Sequence, residues 1–498
     1  MPKKSPTFQL PLGPPNGGTR FRWLYDGIRS AVVDGTLAPG MRLPSTRSVA
    51  CQYGVARGTV VAAFDQLVAE GYAHSRVGSG TFIRHTLPEP APAAAVTARG
   101  IRRSQGPLSV RGRQLVGNRF PKLWSNRSVE TFRLDRPALE AFPVRVWSRI
   151  AARRLRGAGS ALLGGGEPLG LRPLREAIAG SITQERGVRC TADQVAITGG
   201  TQHSLDLIAR LLLDPGDRVW MEDPGYAGAT ALLRAHGAQV VGVPVDEDGL
   251  DCAVGRRRAP LARLAYVTPS CQFPLGASLS LPRRMALLQW AQEADGWVFE
   301  DDYDGQLRFR GRPLAALQSL DTAGRVIYSN TFNKLLFPSL RIGFLVLPVQ
   351  LIDAVSAARS ITDRFPAVLE QATLCDFIVE GHMDQHLRRM RELYTERFDA
   401  LIRCARRDLQ GLMHMSPLDA GLKTVGWLTS GIDEDEACSR AADRGIDSVP
   451  LSRLTLERKL PPGLVLGVVS ADIPAIRRGV RRLGSALREV RSNPPGAR

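Results

Sequence analysis

The sequence predicts a multidomain chain: a small N-terminal helix-turn-helix module with a β wing, then a basic linker, then a large α/β domain on a mostly parallel sheet. Three observations point there. The 498 residues exceed what one hydrophobic core organises. The excess positive charge is gathered at one end of the chain. From about residue 126 onward, apolar strand patterns alternate with amphipathic helical ones, the mark of βαβ units.

Composition sets the outer bounds. Hydrophobic residues make up 44% and charged residues 23%, as in globular domains. No apolar run reaches the ~18 residues of a membrane helix. The opening "MPKKSPTFQLPLGPP" has charge but no apolar core, so it does not read as a secretory signal. Seven scattered cysteines without C-x-x-C pairs fit reduced thiols in a cytoplasmic protein, and predict neither a disulfide framework nor a metal site. Net charge is +18. Residues 1–84 hold ten Lys/Arg against four Asp/Glu, and residues 85–125 hold seven against one. A basic front joined to a nearly balanced remainder predicts a polyanionic partner for the front alone.

The module spans residues 18–84. "FRWLYDGIRSAVVDG" puts Leu24, Ile28, Ala31 and Val32 on one helical face and stops at Gly35. "LPSTRSVACQYG" opens a second helix with Ser45 as N-cap. After a turn at Gly54, "ARGTVVAAFDQLVAEG" buries Val60, Phe64, Leu67 and Val68, leaving Arg57, Gly58 and Thr59 exposed at its start. "YAHSRVGSGTFIR" reads as two short strands around a glycine-rich wing tip. Two helices around a tight turn, the second basic at its start, form a helix-turn-helix.

The pieces "GTLAPGMRLPSTRSVA", "GVARGTVVAAFDQLVAEGY" and "GSGTF" resemble the winged-helix domain of the GntR superfamily over nearly all of residues 20–84. The resemblance implies operator DNA as partner. It implies DNA contacts by Arg47 and Arg57, phosphate contacts by Ser45 and Thr59, and a wing (Arg76, Gly78, Gly80) near the minor groove. An arginine at a helix N-terminus can read a guanine edge bidentately, whereas a wing arginine senses phosphate or groove width. Gly58 stands where a polar residue is common. Residues 85–125, rich in Pro, Ala, Arg and Gly, read as a flexible linker; an arginine there, such as Arg103, would touch phosphate without regard to sequence.

In the large domain, residues 126–490, chemistry gathers at strand ends. "QVAITGGTQHSLDLIAR" is a strand, a Gly pair and a helix, whose first N–H groups suit a phosphate. "WVFEDDYDG" ends a strand in carboxylates, and "RVIYSNTFNK" ends one in a lysine, with Arg341 seven residues on. In open α/β sheets ligands bind at the carboxyl ends of strands. A lysine, a phosphate cradle, a carboxylate and a phenol meet the needs of pyridoxal 5'-phosphate (PLP): amine for the Schiff base, carboxylate for the ring nitrogen, phenol for the ring oxygen.

This half resembles fold-type I aminotransferases, PLP-dependent transferases, and the whole chain resembles the MocR-type members of the GntR superfamily. In "TFNKLLFPSLR" the resemblance makes Lys334 the PLP-linked lysine and Thr331 and Arg341 phosphate ligands; in "GGTQ" it adds Thr201 and Gln202. In "EDDYD" Asp301 is the ring-nitrogen partner and Tyr303 the phenol; Asp302 is the poorer carboxylate by spacing. Tyr226 of "EDPGY" stacks on the ring. Arg453 of "VPLSRL" would hold an effector's carboxylate. Five residues depart from the relatives: Gly165 for a phosphate-reaching tyrosine, Phe273 for the asparagine that true aminotransferases place near the ring oxygen, Cys271 and Leu275 for His and Thr, and Gly228 for an effector-binding arginine of at least one relative. The implied function is a transcription regulator that senses PLP, an amine or amino acid effector, or both. Its assembly would be a homodimer with head-to-tail swapped domains. The alternative is an active PLP-dependent aminotransferase with a DNA-binding appendage; a regulator that has lost its cofactor is a third reading.

Overall fold

The computed structural model describes residues 10, 12–13, 18–85, 108–118, 131–134, 136–311, 314–417 and 419–492, in two compact units divided near residue 105. In the first unit, α1 (Arg20–Val33) packs against α3 (Arg57–Ala69), with α2 (Thr46–Tyr53) beside α3 and a β1 (Ala73–Arg76)–β2 (Gly80–Ile83) hairpin. Leu24, Ile28, Ala31 and Val32 are buried as the helical period requires. Ser45 caps α2 by accepting from Ser48 N–H at 3.1 Å. Gly54 ends α2 in the left-handed region at φ +63°, which turns the chain into α3. Val60, Phe64 and Leu67 are buried together with Ala63, while Val68, expected inside, is only half-buried. Leu10, ahead of the expected boundary at 18, is buried in this same core, and its carbonyl accepts from the Tyr53 hydroxyl.

Most of the stretch read as linker, Arg103 included, lies outside the described residues. One part is corrected by the structure. Val110–Gly117 is an α-helix, capped by Ser109 (Gly112 N–H, 3.0 Å) and packed on helix Ala227–Ala235. Two glycines and two arginines in eight residues hid its period.

The second unit is built on an eight-stranded sheet. In chain order the strands are β3 (Val195–Thr198), β4 (Arg218–Asp223), β5 (Gln239–Asp246), β6 (Gly249–Leu250), β7 (Leu264–Val267), β8 (Trp297–Asp301), β9 (Val326–Thr331) and β10 (Gly343–Val346). In space the order is β3-β10-β9-β8-β7-β4-β5-β6. From β9 across to β5 the pairings are parallel; β10 runs antiparallel to both β3 and β9, and β6 is antiparallel to β5. Alternate residues face opposite layers. Val219, Met221, Tyr266 and Phe299 pack with Leu205, Ile208 and Leu233; Trp220, Ala265 and Val298 pack with Leu287 and Trp290 on the other side. Covering both faces is what a parallel sheet needs, and it explains the uniformly apolar strands. A second sheet, not expected from the sequence, is antiparallel in the order β11 (Met413–Met415), β12 (Lys423–Leu428), β14 (Gly463–Gly467), β13 (Val449–Pro450).

One buried ion pair ties the helical layer to the sheet. Asp302, just past β8, accepts from Arg186 Nε at 2.8 Å and Nη2 at 2.9 Å, and both side chains are wholly buried. Tyr328 Oη donates to the same carboxylate at 2.7 Å. Removing one partner strands the other in a dry interior. Asp302→Ala should therefore lower unfolding free energy by about 3–5 kcal/mol in urea titration, and Arg186→Met combined with Asp302→Leu should recover much of that loss. A loss within experimental error for Asp302→Ala would contradict the assignment.

Candidate functional site

The carboxyl ends of β4, β7, β8 and β9 converge on a cavity of about 240 Å³. It is lined by Thr201, Gln202, Tyr226, Asp301, Tyr303, Thr331, Lys334 and Arg341, which are all eight residues expected to face a cofactor. Tyr266, Phe273, Asn333, Lys423 and Leu454 complete much of the wall. β9 runs straight into the short helix Phe332–Leu335, where Thr331 accepts from Asn333 N–H at 3.2 Å; that cap fixes where Lys334 leaves the sheet.

Asp301 is buried beneath the cavity. Tyr266 Oη donates to one oxygen at 2.5 Å and Thr201 Oγ1 to the other at 3.1 Å. Burial pushes its pKa up to about 7; the two hydrogen bonds pull the other way, and the Asp302 and Asp304 carboxylates add to the rise. A cation brought beside this group would restore its charge. Asp302 faces Arg186 instead, as described above, so of the two adjacent acids only Asp301 lines the cavity.

The Gly199–Gly200 turn meets the cavity at its other end. Gly200 has φ +104°, and a Cβ built there would lie 2.7 Å from Asn333 Nδ2, 3.4 Å from Thr331 Oγ1 and 3.9 Å from Arg341 Nη1. The three side chains thus surround the start of helix Thr201–Leu212, whose first N–H groups have no partner within the helix. The Thr201 hydroxyl is given to Asp301, and Gln202 Nε2 donates to Gly228 O at 3.2 Å; both residues offer the cradle their backbone N–H groups. Gln202 Oε1 and Asn333 Oδ1 are buried without a hydrogen-bond partner.

Two of the expected site residues already have partners. Tyr303 Oη, in the cavity wall, donates to Cys271 O at 3.2 Å and accepts from Lys423 Nζ at 2.9 Å. Arg453 is outside the cavity. The turn Leu451–Leu454 points Leu454 inward and leaves Arg453 over half exposed, paired with Asp435 at 2.5 Å.

In the first unit, Arg47, Arg57 and Arg76 are exposed, and Thr59 is half-buried. Arg57 opens α3; Ala56 gives no side-chain cap, so the helix end is bare. Ser45 spends its acceptor on the α2 cap. Gly78 (φ +75°) and Gly80 (φ +108°) shape the wing tip, and the Arg76 guanidinium lies 5.8 Å from the Phe82 ring centroid. Arg42, not singled out in the sequence, is exposed beside Gly80.

Comparison with known proteins agrees with this architecture. Residues 22–83 match "Bacterial regulatory proteins, gntR family", and residues 137–419 match "Aminotransferase class I and II". The probable rhizopine catabolism regulatory protein MocR of Rhizobium meliloti is 42% identical over 95% of this chain and 94% of its own length. The chain belongs to the MocR-type regulators of the GntR superfamily. The HTH-type transcriptional regulator TauR of Rhodobacter capsulatus is 35% identical over 96% of this chain and 98% of its own. Among solved structures, Pyrococcus horikoshii kynurenine aminotransferase, in complex with PMP, superimposes with TM-score 0.68 at 27% identity, covering 80% of this chain and 98% of that one.

This MocR-type chain is therefore a transcription regulator whose second unit has an aminotransferase fold. No helix among the described residues is long and apolar enough to cross a membrane. Sequence reasoning missed Tyr266 and Lys423. The first was hidden in the apolar strand "LAYVTP"; the second carried a visible signal, a lone lysine in the apolar run "GLKTVGWL". Gly200 generates a prediction for this regulator. Gly200→Ala puts a methyl group into the cradle at a backbone angle L-residues avoid. It should weaken PLP binding, followed by visible absorbance, at least roughly tenfold, or about 1.4 kcal/mol. Unchanged affinity would mean that the cradle is not the phosphate site.

Proposed function

We propose that this regulator binds operator DNA through its winged helix and holds pyridoxal 5'-phosphate in the strand-end cavity, where an amine or amino acid effector is sensed. The observation that carries the reading is the convergence of Lys334, Asp301 and the Gly200 cradle on one cavity. The residues fit the group. The cradle offers backbone N–H donors and the Arg341 guanidinium to a dianion. Asp301, short of charge partners, suits a protonated ring nitrogen. Tyr226 lies in the wall with its ring 5.9 Å from that of Phe273 and nearly perpendicular to it. When bound, PLP supplies an aldehyde that reacts with amines and an electron-poor ring. The chain supplies the amine (Lys334), the proton-holding carboxylate (Asp301) and the anion cradle.

In this reading Arg57 reads base edges, Arg47, Ser45 and Thr59 serve phosphates, and Arg76 with Gly78 and Gly80 meets the minor groove. Two copies act together, in the head-to-tail homodimer of the family. Exposed Val144, Leu155 and Val379, on helices that pack together, are consistent with a covered face. The setting is the cytoplasm, consistent with seven free cysteines. The intact Lys334–Asp301 set favours a second reading, a working aminotransferase with a DNA-binding appendage. Phe273, whose side chain can donate no hydrogen bond to a ring oxygen, weighs against it.

A ligand shifts a regulator only if it binds one state better than another. Operator affinity should therefore differ among cofactor-free protein, loaded protein, loaded protein with amine, and Lys334→Ala, all at one salt concentration. Equal affinity in all four, with an aldehyde or ketone product released from the amine, would favour the enzyme reading. Arg57→Ala should cost about 1–3 kcal/mol on the operator and little on random duplex. Equal losses on both would show that Arg57 does not read bases.

A further inference from the structure

Lys423 opens β12, and its side chain is buried in the wall of the PLP-site cavity. The approach is fixed by Gly421 at φ +94°. A Cβ there would lie 3.0 Å from Cys271 Sγ and 3.1 Å from Asp304 Oδ2, so the strand enters close against both residues. The ammonium donates to Tyr303 Oη at 2.9 Å and lies 4.6 Å from the Phe273 ring centroid and 4.3 Å from that of Tyr303. No carboxylate among the described residues pairs with it within 4.0 Å. An ammonium has three donors, and Tyr303 takes one. Two aromatic faces offset part of the desolvation cost, but two donors of a buried cation are idle. Burial lowers its pKa, and Asp304, Cys271 and Asp301 oppose that shift.

The cavity wall holds three cations among the described residues: Lys334, Arg341 and Lys423. The proposed function, on which this inference rests, engages the first two with the cofactor. Arg453, expected to take an effector's carboxylate, is turned to the surface and paired with Asp435. We propose that Lys423 is the specificity residue of the effector site, receiving the carboxylate of a small amino acid whose amine meets the cofactor at Lys334. The effector class is then an amine that also carries an anionic oxygen group, rather than a plain amine. Phe273 and Tyr303 hold the ammonium in place by their ring faces, and the two free N–H groups are the ones a carboxylate would fill.

The test uses matched probes that differ only by a carboxylate: glycine with methylamine, β-alanine with ethylamine, and 4-aminobutyrate with propylamine. Each is titrated into the full-length, PLP-loaded chain, and binding is read from the visible spectrum of the bound cofactor. The wild type should bind at least one acid about tenfold or more tighter than its matched amine. Lys423→Met should erase that ratio, weakening the acid far more than its matched amine. Lys423→Arg, which keeps the charge, should retain part of the ratio and guards against a misfolded Met variant. A wild-type ratio near one for every pair overturns the proposal, as does an unchanged ratio in Lys423→Met. If Lys423→Met shifts the spectrum before any amine is added but keeps the ratio, the ammonium serves the cofactor and the proposal fails. Absence of any cofactor band in the loaded wild type would overturn the PLP reading itself, a separate result.

Discussion

One buried carboxylate links the parts of the site in the large unit. Asp301 sits at the last position of β8, deep in the sheet, where an ionised group is costly unless it is hydrogen-bonded. Its two hydrogen bonds are also its structural reach. Tyr266 belongs to the neighbouring strand β7, and Thr201 begins the helix after β3, the strand at the far edge of the sheet. The Thr201 bond sets the distance between the carboxylate and the anion cradle around Gly200. A ligand with a cationic ring at one end and a phosphate at the other therefore meets two sites whose spacing is fixed before it arrives. That is preorganisation supplied by one side-chain contact.

Three aspartates in "EDDYD" divide the work by direction. Asp301 faces the cavity. Asp302 turns to Arg186 and Tyr328 and holds the helical layer on the sheet. Asp304, buried, has its pKa raised to about 6 by burial, and Lys423 opposes the rise; its Oδ2 has no hydrogen-bond partner. A strand end exchanges facing direction at each residue, so adjacent acids with the same chemistry meet different partners.

The parts legible in the sequence were those with strong local signals. Strands buried on both faces read as apolar runs, and β4, β8 and β9 fall within a residue or two of where those runs lie. Lys334, Asp301 and the Gly-Gly turn stood out because polar residues ended such runs. The antiparallel sheet was not legible, because β11 has three residues and β13 two, too few to show a period. Arg453 lies one step from the cavity wall: its neighbour Leu454 lines it, and a tight turn decides which of the two points inward. Lys423 shows the same signal that marked Lys334, a cation in an apolar stretch. Without the contact to Tyr303, 120 residues away in the chain, nothing in the sequence set it beside the site. In the winged helix, the apolar period sufficed for all three helices, with Ser45 marking the start of the second, while the burial of Leu10 depends on a tertiary contact with Tyr53 that local sequence does not encode.

In the proposed function the two lysines of one cavity wall have different tasks, and that division can be measured directly. Protein loaded with PLP is reduced with borohydride, digested and mapped by mass spectrometry. A phosphopyridoxyl mass is expected on the peptide containing Lys334 and none on the peptide containing Lys423. Label on Lys423, or no label on either peptide, would contradict it.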